Sequence, residues 1–294
     1  MSSISQITSR IRNKLDSCYP TTEIAGFIRI LFMHYANMSP LELHLRSDED
    51  IPVAIEIQIF SAVDELLKYR PIQYITGETE FYGLAFHLTP DVLIPRQETE
   101  ELTDLIIRKY QNNSRHGSEA GFPKILDIGT GSGCIAVSLA SVLSHAEVWA
   151  TDFSAAALTV AEKNAESNKV QLHPVHADIL SDDADKLFPE KYFDTIVSNP
   201  PYVSQADKRL MQPNVLDYEP HSALFPQGDD PLVFYKRIAD FGLKHLADEG
   251  SLFFEINESF HEETAEILTL RGYIDVTTIK DINGKWRIVF ARKK

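Results

Sequence analysis

Asn199-Pro200-Pro201-Tyr202 follows the apolar run "FDTIV", which reads as a strand. Neither proline has an N–H to donate. The loop therefore offers carbonyl acceptors, that of Pro200 among them, without competing donors. Asn199 adds a side-chain carbonyl. Two such acceptors match the two hydrogens of an –NH2 group, as found on an amide or an exocyclic amine. That nitrogen is a poor nucleophile because its lone pair is delocalised. Holding both hydrogens directs the lone pair at an electrophile and stabilises the positive charge that develops on nitrogen. The ring of Tyr202 can pack on the planar group, which makes Asn199, Pro200 and Tyr202 the catalytic candidates. All four residues are candidates for binding the substrate. The plain alternative is a rigid Pro-Pro turn.

A second constellation is "LDIGTGSGCIAVSLA", residues 126–140: a strand, a glycine turn and a helix. Gly129, Gly131 and Gly133 allow positive φ and a close backbone approach to a ligand. A dinucleotide site would show GxGxxG, with its pyrophosphate on the helix N-terminus. Here the spacing is GxGxG. This is the variant of the turn that cradles S-adenosylmethionine, a cofactor without pyrophosphate, so Gly129, Thr130, Gly131, Ser132 and Gly133 are cofactor candidates. Asp152 ends the next strand and can accept both ribose hydroxyl hydrogens. Asp152 could instead cap the following helix, but Ser154 is the better cap. Asp178 closes the strand after that, where an acid can accept from the exocyclic amine of an adenine and Ile179 can pack on its ring. Asn199 lies beside the methyl group of a cofactor held this way.

Elements that could position these residues alternate from residue 96 onward. Segments 124–129, 147–152, 171–178, 193–199 and 250–256 read as buried strands. Segments 132–143, 155–168 and 231–248 read as helices. Such alternation implies a parallel, doubly wound sheet with ligands at the carboxyl ends of its strands. "NGK" between "IDVTTIKDI" and "WRIVFARK" is a hairpin signal, so the sheet closes with an antiparallel strand. Residues 112–123 read as a loop. Before residue 80 the texture is helical. Ile4, Ile7, Ile11 and Leu15 keep helical spacing. Thr21 or Thr22 is placed to cap a second helix, Ser39 caps a third with Pro40 at its first position, and residues 48–70 read as a fourth. "TEFYGLAFHLTP" suggests two short strands around Gly83. The expected organisation is a helical domain at 1–80, a hairpin linker at 81–95 and a catalytic domain at 96–294.

Composition narrows the partners. The 294 residues carry a net charge of −15, against a broad phosphate-binding surface, so no direct DNA binding is expected. Cys18 and Cys134 belong to no CxxC or CxxH pattern, so neither a zinc site nor a disulfide framework is expected. The apolar runs are too short to cross a bilayer, and "MSSISQITSR" lacks a signal-peptide core. A cytoplasmic monomer is expected. The closing "ARKK" reads as a solvated basic tail.

Taken together, "RPIQYITGETEFYG", "LIPRQETEEL", the glycine turn, "NPPYV", "YEPHSALF" and "DINGKWR" resemble the protein-(glutamine-N5) methyltransferases that modify peptide chain release factors, the PrmC/HemK family. The resemblance spans nearly the whole chain. It implies an α/β architecture: a seven-stranded, Rossmann-like class I methyltransferase domain preceded by a small helical bundle and a β-hairpin linker. The implied activity is methyl transfer from S-adenosylmethionine, leaving S-adenosylhomocysteine, to the glutamine amide of the Gly-Gly-Gln loop in class I release factors. The implied cofactor loop is Gly129 to Gly133, the ribose acid Asp152 and the amide-holding motif Asn199 to Tyr202. Gln97 stands where the family commonly has Pro, and Asn257 where it often has Gly; Asn257 tolerates a left-handed backbone. "IPRQETE" reads equally as a pocket wall or as a plain helix start, and "YEPHSALF" as part of a lid. Methyl transfer to an amide needs no prior base, so His221 there need not be one. Three alternatives stand beside this activity: a ribosomal-protein glutamine methyltransferase, a nucleic-acid adenine-N6 methyltransferase, which must flip its base and hold a polyanion, and a non-catalytic module with a vestigial cofactor fold.

Overall fold

The computed structural model describes residues 2–113, 122–204, 207–226, 228 and 230–294, so most of the loop expected at 112–123 lies outside the described residues. The chain divides into two compact units, residues 1–78 with 212–218, and residues 79–211 with 219–294.

In the first unit, strand β1 (Ser2–Ser3) leads into helix α1 (Ile4–Leu15), whose Ile4, Ile7, Ile11 and Leu15 are all buried. Pro20, and not Thr21 or Thr22, occupies the N-cap of α2 (Thr21–Ala36), without a side-chain cap. Proline's fixed φ already suits the entry, so the threonines fall inside the first turn. Ser39 caps α3 (Pro40–Leu45) as expected, and Glu42 reaching back makes the cap a capping box. The fourth helix starts later than expected. Strand β2 (Asp50–Ile51) pairs antiparallel with β1, and α4 (Val53–Leu66) begins only after Pro52. A residue before proline is driven toward extended conformations, which keeps Ile51 out of the helix. A short α5 (Ile72–Thr76), ended by Gly77 at φ 74°, was not anticipated. Residues 212–218 complete this unit, where the Tyr218 hydroxyl donates to the Lys68 carbonyl at 2.7 Å.

The second unit opens with the hairpin of β3 (Glu78–Phe81) and β4 (Leu84–His87). Both loop residues have positive φ, Tyr82 at 50° and Gly83 at 72°, the pairing a tight two-residue hairpin requires. Helix α6 (Gln97–Asn113) compensates the strain on Tyr82: Glu100 accepts its N–H at 2.7 Å and Asp104 its hydroxyl at 3.0 Å. The main sheet uses β5 (Lys124–Ile128), β6 (Glu147–Asp152), β7 (His173–His176), β8 (Phe193–Ser198), β9 (Leu246–Glu255), β10 (Ile274–Lys280) and β11 (Trp286–Arg292). Helices α7 (Cys134–Val142) and α8 (Ala155–Ser167) connect the first three of these strands.

The strand order is β10-β11-β9-β8-β5-β6-β7, parallel from β9 to β7 and antiparallel at β11 and β10. The chain thus runs outward from β5 to β7 and returns to β8 on the other side of β5. That reversal is a topological switch point, with Ile128 and Ser198 paired at its carboxyl end.

Four local expectations need correction. Strand β7 is shorter than 171–178. The helix expected to reach residue 248 stops at His245, because the Lys191 and Tyr192 N–H groups take the carbonyls of Lys244 and His245, both at 2.9 Å, and turn the chain into β9. Asn257 is extended at φ −68°, and its side chain accepts from Ser259 N, so no left-handed residue is needed there. The terminal basic residues are not a solvated tail: Lys293 is buried and donates to the Leu246 carbonyl at 2.6 Å, while Arg292 pairs with Asp275.

Candidate active site

A cavity opens at the switch point, wholly within the second unit, and the glycine turn forms its floor. Gly129, Gly131 and Gly133 have φ of 74°, 55° and 79°, all in the region that favours glycine. Their surroundings differ. A Cβ built on Gly129 or Gly131 meets nothing within 4 Å, whereas one on Gly133 comes 3.0 Å from Ala161 Cβ and 3.1 Å from Ala161 Cα. Gly129 to Ser132 line the cavity, while Gly133 serves the packing of α7 against α8.

Asp152 ends β6 and shapes the turn. Its Oδ2 accepts Gly131 N and its Oδ1 accepts Ser154 N, both at 2.9 Å. Phe153 N adds a further backbone donor to the same carboxylate. Burial pushes this carboxyl up against the pull of those backbone donors. Ser154 caps α8 by accepting from Ala157 N, so the capping role falls where its residue type predicts. Asp178 is exposed, with Oδ1 on Leu180 N at 2.9 Å, beside the buried Ile179; both line the cavity. Beneath the turn, Asp127 accepts the Thr130 hydroxyl at 2.7 Å, and burial raises its carboxyl from 3.8 to about 7.

Opposite the turn, β8 delivers Asn199, Pro200 and Pro201 to the cavity wall. The Asn199 amide donates through Nδ2 to Thr99 Oγ1 at 3.3 Å. Thr99 donates in turn to Glu255 Oε2 at 2.6 Å, and Tyr202 donates to Glu255 Oε1 at 3.2 Å. Tyr202 is not among the lining residues; it packs on the core below the loop and anchors the loop from behind. Arg96 lines the cavity and donates to the buried Glu219 at 2.6 Å, tying "IPRQETE" to "YEPHSALF". Ser222, Ala223 and Phe225 of the latter segment also line the cavity, while His221 does not.

Thr99 and Glu255 escaped the sequence reading as parts of the site. Thr99 sits in a motif recognised only as a whole. The single carboxylate in the apolar run "GSLFFEI" was the available signal for Glu255, since a charge there demands a partner.

Residues 100–239 match the family model of the methyltransferase small domain, and residues 7–77 match that of the PrmC N-terminal domain. Over 290 residues the chain is 40% identical to a release factor glutamine methyltransferase of Bacteroides thetaiotaomicron, covering 99% of this chain and all of that one. The chain belongs to the release factor glutamine methyltransferase family. A family member from Flavobacterium psychrophilum is 41% identical over 275 residues, 94% of each chain. Among solved structures, the hMettl16 catalytic domain in complex with MAT2A 3'UTR hairpin 1 matches 91% of this chain and 90% of that one, with a TM-score of 0.56 at 19% identity, a likeness of fold. Membership in this family carries the requirement for a methyl donor of the S-adenosylmethionine type, and two side-chain-free glycines bordering open space at the switch point suit such a ligand.

Proposed function

We propose that this chain transfers a methyl group from S-adenosylmethionine to the side-chain amide nitrogen of the glutamine in the Gly-Gly-Gln motif of class I peptide chain release factors. The observation that carries this reading is the orientation of Asn199. Its Nδ2 is committed to Thr99, so Oδ1 is the end left to accept from a substrate –NH2 at the mouth of the glycine cradle.

The cofactor supplies a methyl group made electrophilic by its sulfonium. Gly129 to Ser132 give it room, Asp152 takes its ribose hydroxyls, and Asp178 with Ile179 receives its adenine. Asn199 Oδ1 and the Pro200 carbonyl hold the two amide hydrogens, which aims the nitrogen lone pair and stabilises the charge it acquires. Pro201 keeps donors away from this wall. Once alkylated, the amide is strongly acidic and loses its proton to water, so no side chain is assigned as a base. Tyr202 donates its hydroxyl to Glu255, which steadies the loop, and its half-buried ring packs on the planar amide group. Residues 1–80 recognise the release factor, 81–95 act as the linker and 96–294 carry the chemistry.

Incubation of purified release factor with the protein and S-adenosylmethionine tests this, with mass spectrometry of the Gly-Gly-Gln peptide as the readout. One added methyl on the glutamine is expected. An unmodified glutamine, or methylation elsewhere, overturns the assignment.

A further inference from the structure

We infer that Glu255, acting through Thr99, is a positioning residue that fixes which end of the Asn199 side-chain amide meets the substrate. The inference rests on the reading of Asn199 given above and goes beyond it, since that reading takes Thr99 only as the partner of Asn199 Nδ2 and gives Glu255 no part in orienting the amide.

Hydrogen-bond direction carries the argument. A threonine hydroxyl has one proton to give. Thr99 Oγ1 donates to Glu255 Oε2 at 2.6 Å, so its one proton points at Glu255. The lone pairs of Oγ1 are then what Asn199 meets, at 3.3 Å, and only the –NH2 end of its amide can satisfy them. Reversing that amide would set carbonyl oxygen against hydroxyl oxygen with no proton between them. It would also turn two N–H donors toward a substrate group that brings two donors of its own. Glu255 therefore dictates, two bonds away, that Asn199 presents an acceptor.

Both carboxylate oxygens serve the same loop. Oε1 takes the Tyr202 hydroxyl at 3.2 Å, so one carboxylate grips the four-residue motif at its first residue, through Thr99, and at its last. Glu255 is 1% exposed and ends β9, which runs beside β8 with Phe254 paired to Ser198. Burying a carboxylate is costly unless it is bonded and compensated. Arg287 of β11 supplies the opposing charge, Glu98 of α6 a like one, and Tyr202 and Tyr235 complete the surroundings. An apolar residue would fill that space at less cost. What a carboxylate adds is a fixed acceptor.

The test compares Thr99→Val, which keeps the shape and removes the hydroxyl, with Thr99→Ser, which restores it. In Thr99→Val, kcat on release factor is expected to fall about 10–100-fold, the range for removing a group that orients an acting residue. KM for release factor and S-adenosylmethionine affinity are expected to stay within about threefold. Thr99→Ser is expected to recover most of the rate. A second readout uses the cofactor-free protein: the side-chain amide protons of Asn199, assigned by their loss in Asn199→Ala, exchange slowly in the wild type and Thr99→Ser and quickly in Thr99→Val. Glu255→Met, which removes both acceptors at similar length, is expected to give the same fast exchange, and this decides the matter should Thr99→Val fail to fold. Collapse of turnover in Asn199→Ala together with unchanged turnover and slow exchange in Thr99→Val and Glu255→Met overturns the inference. Retained turnover in Asn199→Ala overturns instead the reading on which it rests.

Discussion

Asn164 holds His87 by both ends of its side-chain amide, taking the His87 N–H at 2.7 Å and donating to the His87 carbonyl at 3.0 Å. The same –NH2 also donates to the Ser132 carbonyl at 2.8 Å. One fully buried asparagine on α8 thus imitates a neighbouring strand for β4 and fastens that hairpin to the glycine turn. Asn164→Leu keeps the volume but strands three backbone groups. At about 1–3 kcal/mol for each buried group left unpaired, and about 2–4 °C per kcal/mol for a unit of this size, the melting temperature is expected to drop by at least about 5 °C. A variant melting within a degree of the wild type would show that water replaces the clasp.

Asp152 holds the Gly131 and Ser154 amides, and in the proposed reading the same carboxylate receives ribose hydroxyls. Asp152→Ala removes both acceptors. A charge-assisted hydrogen bond is worth about 1.5–3 kcal/mol, so S-adenosylmethionine affinity measured by calorimetry is expected to fall tenfold to a hundredfold. Asp152→Asn keeps one accepting oxygen and is expected to fall between the two. Unchanged affinity in a folded Asp152→Ala protein removes this residue from the cofactor site.

The three glycines of the turn are expected to respond differently to alanine. At all three, positive φ costs an alanine roughly 1 kcal/mol. Only Gly133 adds a collision, with Ala161 Cβ at 3.0 Å and backbone behind it. Gly133→Ala is therefore expected to lose clearly more thermal stability than Gly129→Ala. Gly129→Ala and Gly131→Ala point their methyls into the cavity and are expected to lose cofactor affinity out of proportion to stability. Equal losses of stability in Gly133→Ala and Gly129→Ala count against the packing role.

Asp127 makes stability depend on pH in the direction opposite to most carboxylates. Burial, with Asp152 nearby, raises its carboxyl to about 7, while the Thr130 hydroxyl and the Ala136 N–H pull it down. Between about pH 4 and about pH 7 the folded chain keeps a proton here that the unfolded chain has released. The contribution of this group is therefore most favourable at low pH, and it is lost as pH rises through that window. Asp127→Asn cannot ionise and escapes the loss. The difference in melting temperature between Asp127→Asn and the wild type, measured without cofactor, is expected to move in favour of the variant from about pH 5 to about pH 8. A constant difference would show that Asp127 titrates alike in both states.

What could be read from sequence was whatever is written locally. The glycine turn, the Asn-Pro-Pro stretch after β8, the Ser39 cap and the terminal hairpin each carry their physics within a few residues. The parallel sheet followed from alternation alone. Contacts between distant residues were not legible. Thr99 meets Glu255 across 156 positions, and Asn164 meets His87 across 77; each looks like an ordinary polar residue until the fold brings its partner. Tyr202 shows the same limit from the other side. Its place in the motif suggested a ring against the substrate, but nothing local announced that its hydroxyl would donate to the distant Glu255.

The pairing of Tyr218 with Lys68 sets a timetable for synthesis. Residues 1–78 form most of the first unit, but the segment 212–218 that completes it leaves the ribosome some 150 residues after Lys68. At about 5–20 residues per second, the helical core waits roughly 8 to 30 seconds for its last piece. During that interval β5, β6, β7 and β8 emerge in turn, and β9 and β11 follow only after Tyr218. The helical unit thus opens the chain, yet it is finished while the catalytic sheet is only partly made.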